Sequence, residues 1–381
     1  MLTLDILIPT RNRARLLAGA IESLLRARVP EGLSVTIVPI DNGSADGTPQ
    51  LLEWMAARHR GRIQVVSERR CGKSRALNAG IEATSAELVG MIDDDEEVQE
   101  GWYEGVLRAF TANPGLDFIG GPYTAVWPAT PPSWIPSDYL AVLGDTHTGD
   151  GERPYDQNFS GILKGGNAVI RRRTLRHVGP YAEYLGPAGP ARLFSCEDEE
   201  MYLRLLSAGA RGRYLPDLIV YHHVCAGRLT PGYFRRWCFW RGVSRGLMDR
   251  AHPMPVRYLA GVPRFLYGSA ARGLARVAKA AVAAAPEHSA LSDELKAWDL
   301  AGYLWGRHIY TLARFSPLRS RRTLRPPFPQ VIEGDGLRSS AEIWNSSCYF
   351  VAHHGSEGRG DRHQACEFCM AERRPKPAPP F

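Results

Sequence analysis

The chain has 381 residues, is 44% hydrophobic and carries a formal net charge of +7. That length leads us to expect two domains, or one large domain with appendages, built on a sizeable core. No run approaches the roughly 18 uninterrupted apolar residues of a membrane span. The seven cysteines (71, 196, 225, 238, 348, 366 and 369) are odd in number and mostly scattered. This argues against a disulfide framework and fits a reducing compartment.

The opening MLTLDILIPTRNR enters a strand at once and lacks the features of a signal peptide, so a cytoplasmic protein is expected. Further strands are predicted at Val35–Ile40, Ile63–Val66, Leu88–Ile92 and Leu116–Gly121, after a first at Leu4–Pro9. Helical patterns at Arg15–Ala27 and Thr48–Arg58 lie between them, which predicts an α/β fold with a mostly parallel sheet. The segment Pro122–Asp138, rich in Pro and Trp, reads as a loop. Regular structure resumes at GGNAVIRRRTL and in a helix from about Glu197.

After Pro231 the composition turns basic and aromatic. Between Arg228 and Ala281 eleven Arg and Lys face one acid, Asp249, a balance that suits an anionic surface. Val262, Phe265, Leu266, Ala270, Gly273, Leu274, Val277 and Ala281 keep helical spacing. This region either docks on the first domain or lies at a membrane surface. Beyond about Leu324 the chain becomes Pro-, Gly- and polar-rich, the composition of a poorly ordered tail. Three segments are therefore expected: 1–230, 231–325 and 326–381. In the last, Cys366 and Cys369 have zinc-knuckle spacing with no second CxxC beside them.

The chemistry-bearing residues follow the strands. PTRNR ends the first, DNGSADGT (Asp41–Thr48) the second, RRCGKSRALNAGI (Arg69–Ile81) the third, and the acids Asp93, Asp94, Asp95, Glu96 and Glu97 the fourth. In open α/β sheets ligands bind beyond the carboxyl ends of the strands. Five consecutive acids need something positive close by. A divalent cation bridging them to a diphosphate meets that need, because Mg²⁺ or Mn²⁺ favours carboxylate and phosphate oxygens. Lys73 and Arg75 stand where a helix start also attracts anions.

In order and spacing, IPTRNR, DNGSADGT, GKSRALNAG, IDDDEEV, GGNAVIRR, CEDEEMYLRLLSAG and VYHH resemble the inverting family 2 glycosyltransferases over roughly residues 1–230. The resemblance implies a GT-A fold that binds a nucleotide-sugar donor. It implies that Pro9, Thr10, Arg11 and Asp41 hold the base and ribose, and that Lys73 lies near base and phosphates. It implies that Asp93 and Asp95, with Asp94 able to replace either, hold ribose and metal. It further implies that Gly166 and Asn167 lie near the donor sugar, that Asp198 of the pair with Glu197 is the catalytic base, and that His222 completes the Mg²⁺ or Mn²⁺ site. Acceptors in view are a glycan, a lipid-linked saccharide or a small molecule. An anionic membrane surface at the inner face of the cell is a further contact, and no nucleic acid is expected.

Each of these residues also has a plainer reading. Ser195-Cys-Glu-Asp198 resembles a capping box, Asp41 before Asn42-Gly43 resembles an Asx turn, and Trp127 and Trp134 suit packing as well as sugar stacking. His222 and His223 alternate across a strand, so at most one faces the site. Two other functions remain open. A nucleotidyltransferase would also gather acids and cations around a nucleotide, although the Glu197–Asp198 pair has no place in it. A nucleic-acid-binding protein would use residues 228–281, but no base-stacking or groove-reading motif supports it.

Overall fold

The computed structural model describes residues 1–188, 192–285 and 288–310. The tail 326–381, with its Cys and His residues, lies outside the described residues. In chain order the elements are β1 (Leu2–Thr10), α1 (Ala14–Arg26), β2 (Leu33–Asp41), α2 (Thr48–Arg58), β3 (Val66–Ser67), α3 (Lys73–Ala83), β4 (Leu88–Met91), β5 (Glu96–Val98), α4 (Trp102–Ala112), β6 (Phe118–Gly120) and β7 (Tyr123–Val126). There follow β8 (Arg153–Tyr155), β9 (Ala168–Arg171), α5 (Arg172–Val178), α6 (Glu197–Ser207), β10 (Gly212–Tyr214), β11 (Val220–His223), α7 (Pro231–Met248), α8 (Arg264–Val282) and α9 (Leu291–Leu304).

An eight-stranded sheet in the order β3-β2-β1-β4-β9-β6-β10-β8 forms the centre. β1 pairs in parallel with β2 and β4, so Thr10 stands opposite Asp41 and both strands end on one edge. β9 runs antiparallel between β4 and β6, with Ala168 opposite Met91. The turn Gly165–Asn167 that leads into β9 is thereby brought to the edge where β4 ends.

Alternation along β1 builds a core on each face. Leu4, Ile6 and Ile8 join Leu17, Ile21 and Leu24 of α1 and Trp102, Val106 and Phe110 of α4. Leu7 turns the other way, toward Ala76 and Leu77 of α3 and Met201, Tyr202 and Leu205 of α6. Each of these aliphatic side chains, fully buried, stabilises the fold by about 1.5–3 kcal/mol. The result is a helix–sheet–helix sandwich.

Two features depart from the sequence expectation. Tyr123–Val126, read as loop, is a strand, because a second sheet in the order β5-β11-β7 takes it up beside β11. Three chain segments far apart in sequence supply that sheet, and local patterning carries no signal for it. The strand expected at Ile63–Val66 shrinks to Val66–Ser67 plus a bridge from Ile63 to Ile37.

Among the described residues the basic region forms α7, α8 and α9, with a short hairpin of Tyr258–Leu259 and Val262–Pro263 before α8. Thr230 caps α7, its Oγ1 accepting from the Tyr233 N–H at 3.2 Å, with Pro231 in the first turn. α7 packs along α9 through glycines on both sides: a Cβ on Gly242 or Gly246 would collide with the backbone of Asp299 or Tyr303, and one on Gly302 with that of Phe239. On α8 the predicted apolar stripe is buried at Leu266, Ala270 and Gly273, but Leu274 is 51% exposed and Val282 91%. No helix among the described residues is long and apolar enough to cross a membrane.

Candidate active site

The five acids after β4 each have their own compensation. The Lys73 ammonium lies 2.7 Å from Asp93 Oδ1. Asp94 accepts from Thr10 Oγ1 at 2.8 Å and from Arg13 Nη1 at 2.7 Å. Asp95 Oδ2 accepts from Arg13 Nη1 at 2.9 Å and from Arg228 Nη2 at 3.1 Å. Glu96 is 1% exposed and accepts the Asp93 N–H at 2.8 Å. Glu97 points away toward His223, 2.9 Å from its Nε2. Side-chain cations therefore already stand beside Asp93, Asp94 and Asp95, whose charge the sequence reading gave to a bound metal.

Burial sets the protonation of the cluster, and the neighbours modify it. Desolvation, with the charges of Asp93 and Asp95, lifts Glu96 well above the usual carboxylate range. Desolvation pushes Asp94 up to about 6 against the pull of Arg13. Burial would raise Asp95 too, but Arg228, His222 and Arg13 together hold it at about 2.

The second sheet brings the histidine to the acids. In β11, His222 stands opposite Glu96 of β5, and the His223 N–H donates to the Asp95 carbonyl at 2.8 Å. His222 is buried, its Nε2 lies 3.7 Å from Asp95 Oδ2, and burial lowers its pKa. The ring stacks near-parallel on Tyr123, at 11° and 6.4 Å between centroids. One guanidinium bridges the pair: Arg228 Nη1 donates to His222 Nε2 at 3.2 Å while Nη2 holds Asp95. The carboxylate oxygen and the imidazole nitrogen thus already converge on a cationic group. Among the described residues no group of three or more His, Cys, Asp or Glu gathers for a metal. The donor set fits a Mg²⁺ or Mn²⁺ that takes two protein ligands and fills its shell from phosphate and water.

Across the site, α6 opens with Glu197, Asp198, Glu199 and Glu200. Ser195 does not cap it. The cap position falls on Cys196 at φ 70° with no side-chain cap bond, and Ser195 Oγ lies 3.6 Å from Cys196 Sγ instead. A left-handed non-glycine residue costs about 1 kcal/mol, and such strain gathers at functional sites. Asp198 is half-buried, and its Oδ1 has no hydrogen-bond partner. A Cβ on Gly165 would collide with that carboxylate, and one on Gly166 with Glu96, so the GG turn leaves room for both acids. Burial raises Asp198 against the opposing charge of Lys73, and burial plus the Asp198 charge lifts Glu197 to about 8. Lys73 lies 3.6 Å from Glu197 Oε1, so one ammonium reaches both Asp93 and the α6 acids.

The remaining predicted residues shape this rim. Asp41 Oδ1 accepts the Ser44 N–H at 3.0 Å, three residues on and not the two of an Asx turn, and Arg11 donates to the Asn42 carbonyl at 3.3 Å. Pro9 is partly buried beside them. The Asn167 side chain is fully buried and spent on protein: Nδ2 donates to the carbonyls of Pro122 and Leu218, and Oδ1 accepts from Trp102 Nε1 at 3.0 Å. Trp134 packs edge-on against Phe234, and Trp127 joins the same cluster.

Sequence reasoning missed Arg13, Arg228 and Asn42. Asn42 ties the loops together, donating to the carbonyls of Glu68 and Arg70 at 2.8 Å and accepting the Gly72 N–H at 2.7 Å. Arg13 sat inside a quoted motif, but Arg228 had no local signal.

The sheet order and this acid-and-cation rim define a GT-A-type α/β protein. A solved mannosyltransferase from Pyrobaculum calidifontis, in complex with GDP-Man and Mn²⁺, superposes with a TM-score of 0.54 at 19% identity, covering 80% of this chain and 86% of its own. The family model described as glycosyl transferase family 2 matches residues 5–179. The match covers a little under half of the chain. The glucosyl-dolichyl phosphate glucuronosyltransferase of Haloferax volcanii is 25% identical over 182 residues, 48% of this chain and 57% of its own length. The succinoglycan biosynthesis protein ExoM of Rhizobium meliloti is 24% identical over 255 residues, 66% of this chain and 77% of its own length. The chain spans 57% and 66% of the length of the first two relatives it matches, the glucuronosyltransferase and AglE of the same organism.

Proposed function

We propose that the protein is an inverting glycosyltransferase that moves a sugar from a nucleoside-diphosphate donor to a hydroxyl of a glycan, lipid-linked or small-molecule acceptor, with Asp198 as general base. The observation that carries this reading is the place of Lys73, between Asp93 on one side and the Glu197–Asp198 pair on the other. One cation joins the end of β4, suited to the donor, to the start of α6, suited to the acceptor.

The residues divide the work. Asp198, with a free Oδ1, takes the proton of the acceptor hydroxyl as its oxygen attacks the anomeric carbon and the bond to the diphosphate breaks. Glu197, raised to about 8, keeps its proton at neutral pH and leaves the base role to its neighbour. Lys73, Arg13 and Arg228 face the charge that grows on the leaving diphosphate. Asp93 and Asp94, with the loop of Pro9, Thr10, Arg11 and Asp41, hold ribose and base, and Gly166 admits the donor sugar. Asp95 and His222 would hold Mg²⁺ or Mn²⁺, whose chemistry when bound is to neutralise the diphosphate. The Mn²⁺ complex of the Pyrobaculum neighbour supports that choice of cation.

The dolichyl phosphate in the name of the Haloferax relative favours a lipid-linked acceptor. Peripheral contact with an anionic membrane accords with the exposed Leu274 and Val282 of α8, which share that helix with Arg272, Arg276 and Lys279.

Asp198→Asn tests the assignment. Transfer should fall by about 10²–10⁴-fold while calorimetric nucleotide binding persists. Wild-type turnover in this variant would remove Asp198 from the base role, and a product that gained a nucleotide instead of a sugar would sink the reading altogether.

A further inference from the structure

A small pocket lies apart from the donor and base residues, where α7, α8 and α9 meet the turn Ser137–Leu143. Tyr139, Trp237, Arg241, Arg245, Lys296 and Asp299 line it, around a volume of about 50 Å³. That exceeds the space one water needs and suits a compact anion.

Three cations, Arg241, Arg245 and Lys296, line it against one carboxylate, Asp299, whose Oδ1 has no hydrogen-bond partner, and the nearby Glu199 also attracts Arg241. Arg245 Nη1 donates to Asp299 Oδ2 at 2.9 Å. Lys296 donates to Asp293 Oδ1 at 2.7 Å, an oxygen that Arg276 already holds at 2.6 Å. Arg241 is left over. Its side chain is 16% exposed, and its nearest carboxylate oxygen, Asp299 Oδ1, is 3.9 Å away. It makes no hydrogen bond to any described residue, and its guanidinium instead lies 5.6 Å from the centroid of the Trp237 ring.

A guanidinium has five donors, and buried polar groups are nearly always paired. The plainer reading is an ion-pair brace between α7 and α9. Arg245 and Asp299 already make that brace, and Arg241 adds only charge to it. Although the pocket does not include the base, Arg241 feels the charge of Glu199, the residue after Asp198, and Lys164 feels the charges of Asp198, Glu199 and Arg241.

We propose that this pocket binds a phosphate monoester or diester carried by the acceptor, with Arg241 as its principal donor. Naming the acceptor as the source rests on the glycosyltransferase reading; the anion site itself does not. A planar guanidinium over an aromatic ring presents paired N–H groups to a phosphate oxygen. The aromatic walls at Tyr139 and Trp237 suit the apolar part of such a molecule.

The full chain, saturated with UDP or GDP to keep phosphate off the donor site, is titrated with inorganic phosphate in a calorimeter. It is titrated separately with phosphatidylcholine vesicles containing phosphatidic acid. Phosphate should bind, and Arg241→Gln should weaken it about tenfold or more, with melting temperature and nucleotide affinity unchanged. Arg241→Lys, which keeps the charge but loses the fork, should weaken it less and serves if the Gln variant does not fold. Tighter binding of phosphatidate vesicles than of free phosphate identifies a lipid-linked source; equal or weaker binding identifies a soluble phosphorylated one. Absence of both interactions in the wild type, or binding indifferent to Arg241, overturns the proposal. Failure of the wild type to bind any nucleotide would instead count against the donor reading.

Discussion

Arg228 shows how much one side chain can hide from sequence inspection. It lies 133 positions from Asp95, and nothing in CAGRLT marks it as a ligand to anything. The strand-end acids were legible because each follows an apolar run, and Lys73 because it opens a helix after a Gly. Arg228 became visible only when β11 carried His222 to β5. Its guanidinium stands where a metal shared by Asp95 and His222 would stand. Removing it in Arg228→Ala should therefore strengthen Mn²⁺ binding to the nucleotide-free protein, by about tenfold if one competing ion pair is lost. Electron paramagnetic resonance titration of free Mn²⁺ reads this directly. Weaker or unchanged binding in the variant would show that Asp95 and His222 do not chelate. The Ser195 capping box failed for a physical reason of the same scale: the chain enters α6 through a left-handed Cys196, which moves the cap one residue along and leaves the serine outside.

At the scale of elements, the alternating helices and strands of the first half were readable because each buries a face with its own period. The second sheet was not, since its three short strands gain their pairing only from one another. The α7–α9 contact has a signal in the sequence itself. GVSRG (242–246) and GYLWG (302–306) each place two glycines four apart, and the helices meet there backbone to backbone. Gly302→Ala has no flexible neighbour to displace, because the obstructing atoms are the Phe239 main chain. It should destabilise the protein by about 1–3 kcal/mol, the usual cost of overpacking. Denaturant unfolding followed by circular dichroism measures this. A midpoint equal to the wild type would mean that the two helices do not approach so closely in solution.

For the molecule as a whole, the site imposes a pH dependence on folding. Glu197 holds its proton up to about 8 in the folded chain against an ordinary value of 4.5. Between those values the unfolded chain releases the proton while the folded chain keeps it, so stability falls as pH rises through that window. Asp94, lifted to about 6, acts in the same sense over a narrower span. Asp95 acts in the opposite one, its stabilisation fading only as pH drops from 3.8 toward 2. Glu197→Gln should accordingly raise the melting temperature more at pH 8 than at pH 5, as differential scanning fluorimetry can measure. An equal shift at both values would place Glu197 in an ordinary ionised state.

The distance in sequence between Asp95 and its partners also affects how the protein is made. As the polypeptide leaves the ribosome, the five acids emerge more than a hundred residues before His222 and Arg228, with Arg13, Arg26 and Lys73 already made. At that stage Asp95 lacks Arg228 and His222, and the pairing of β11 with β5 supplies them. Completion of the acidic rim therefore waits on β11, and a truncated product ending before β11 would lack it.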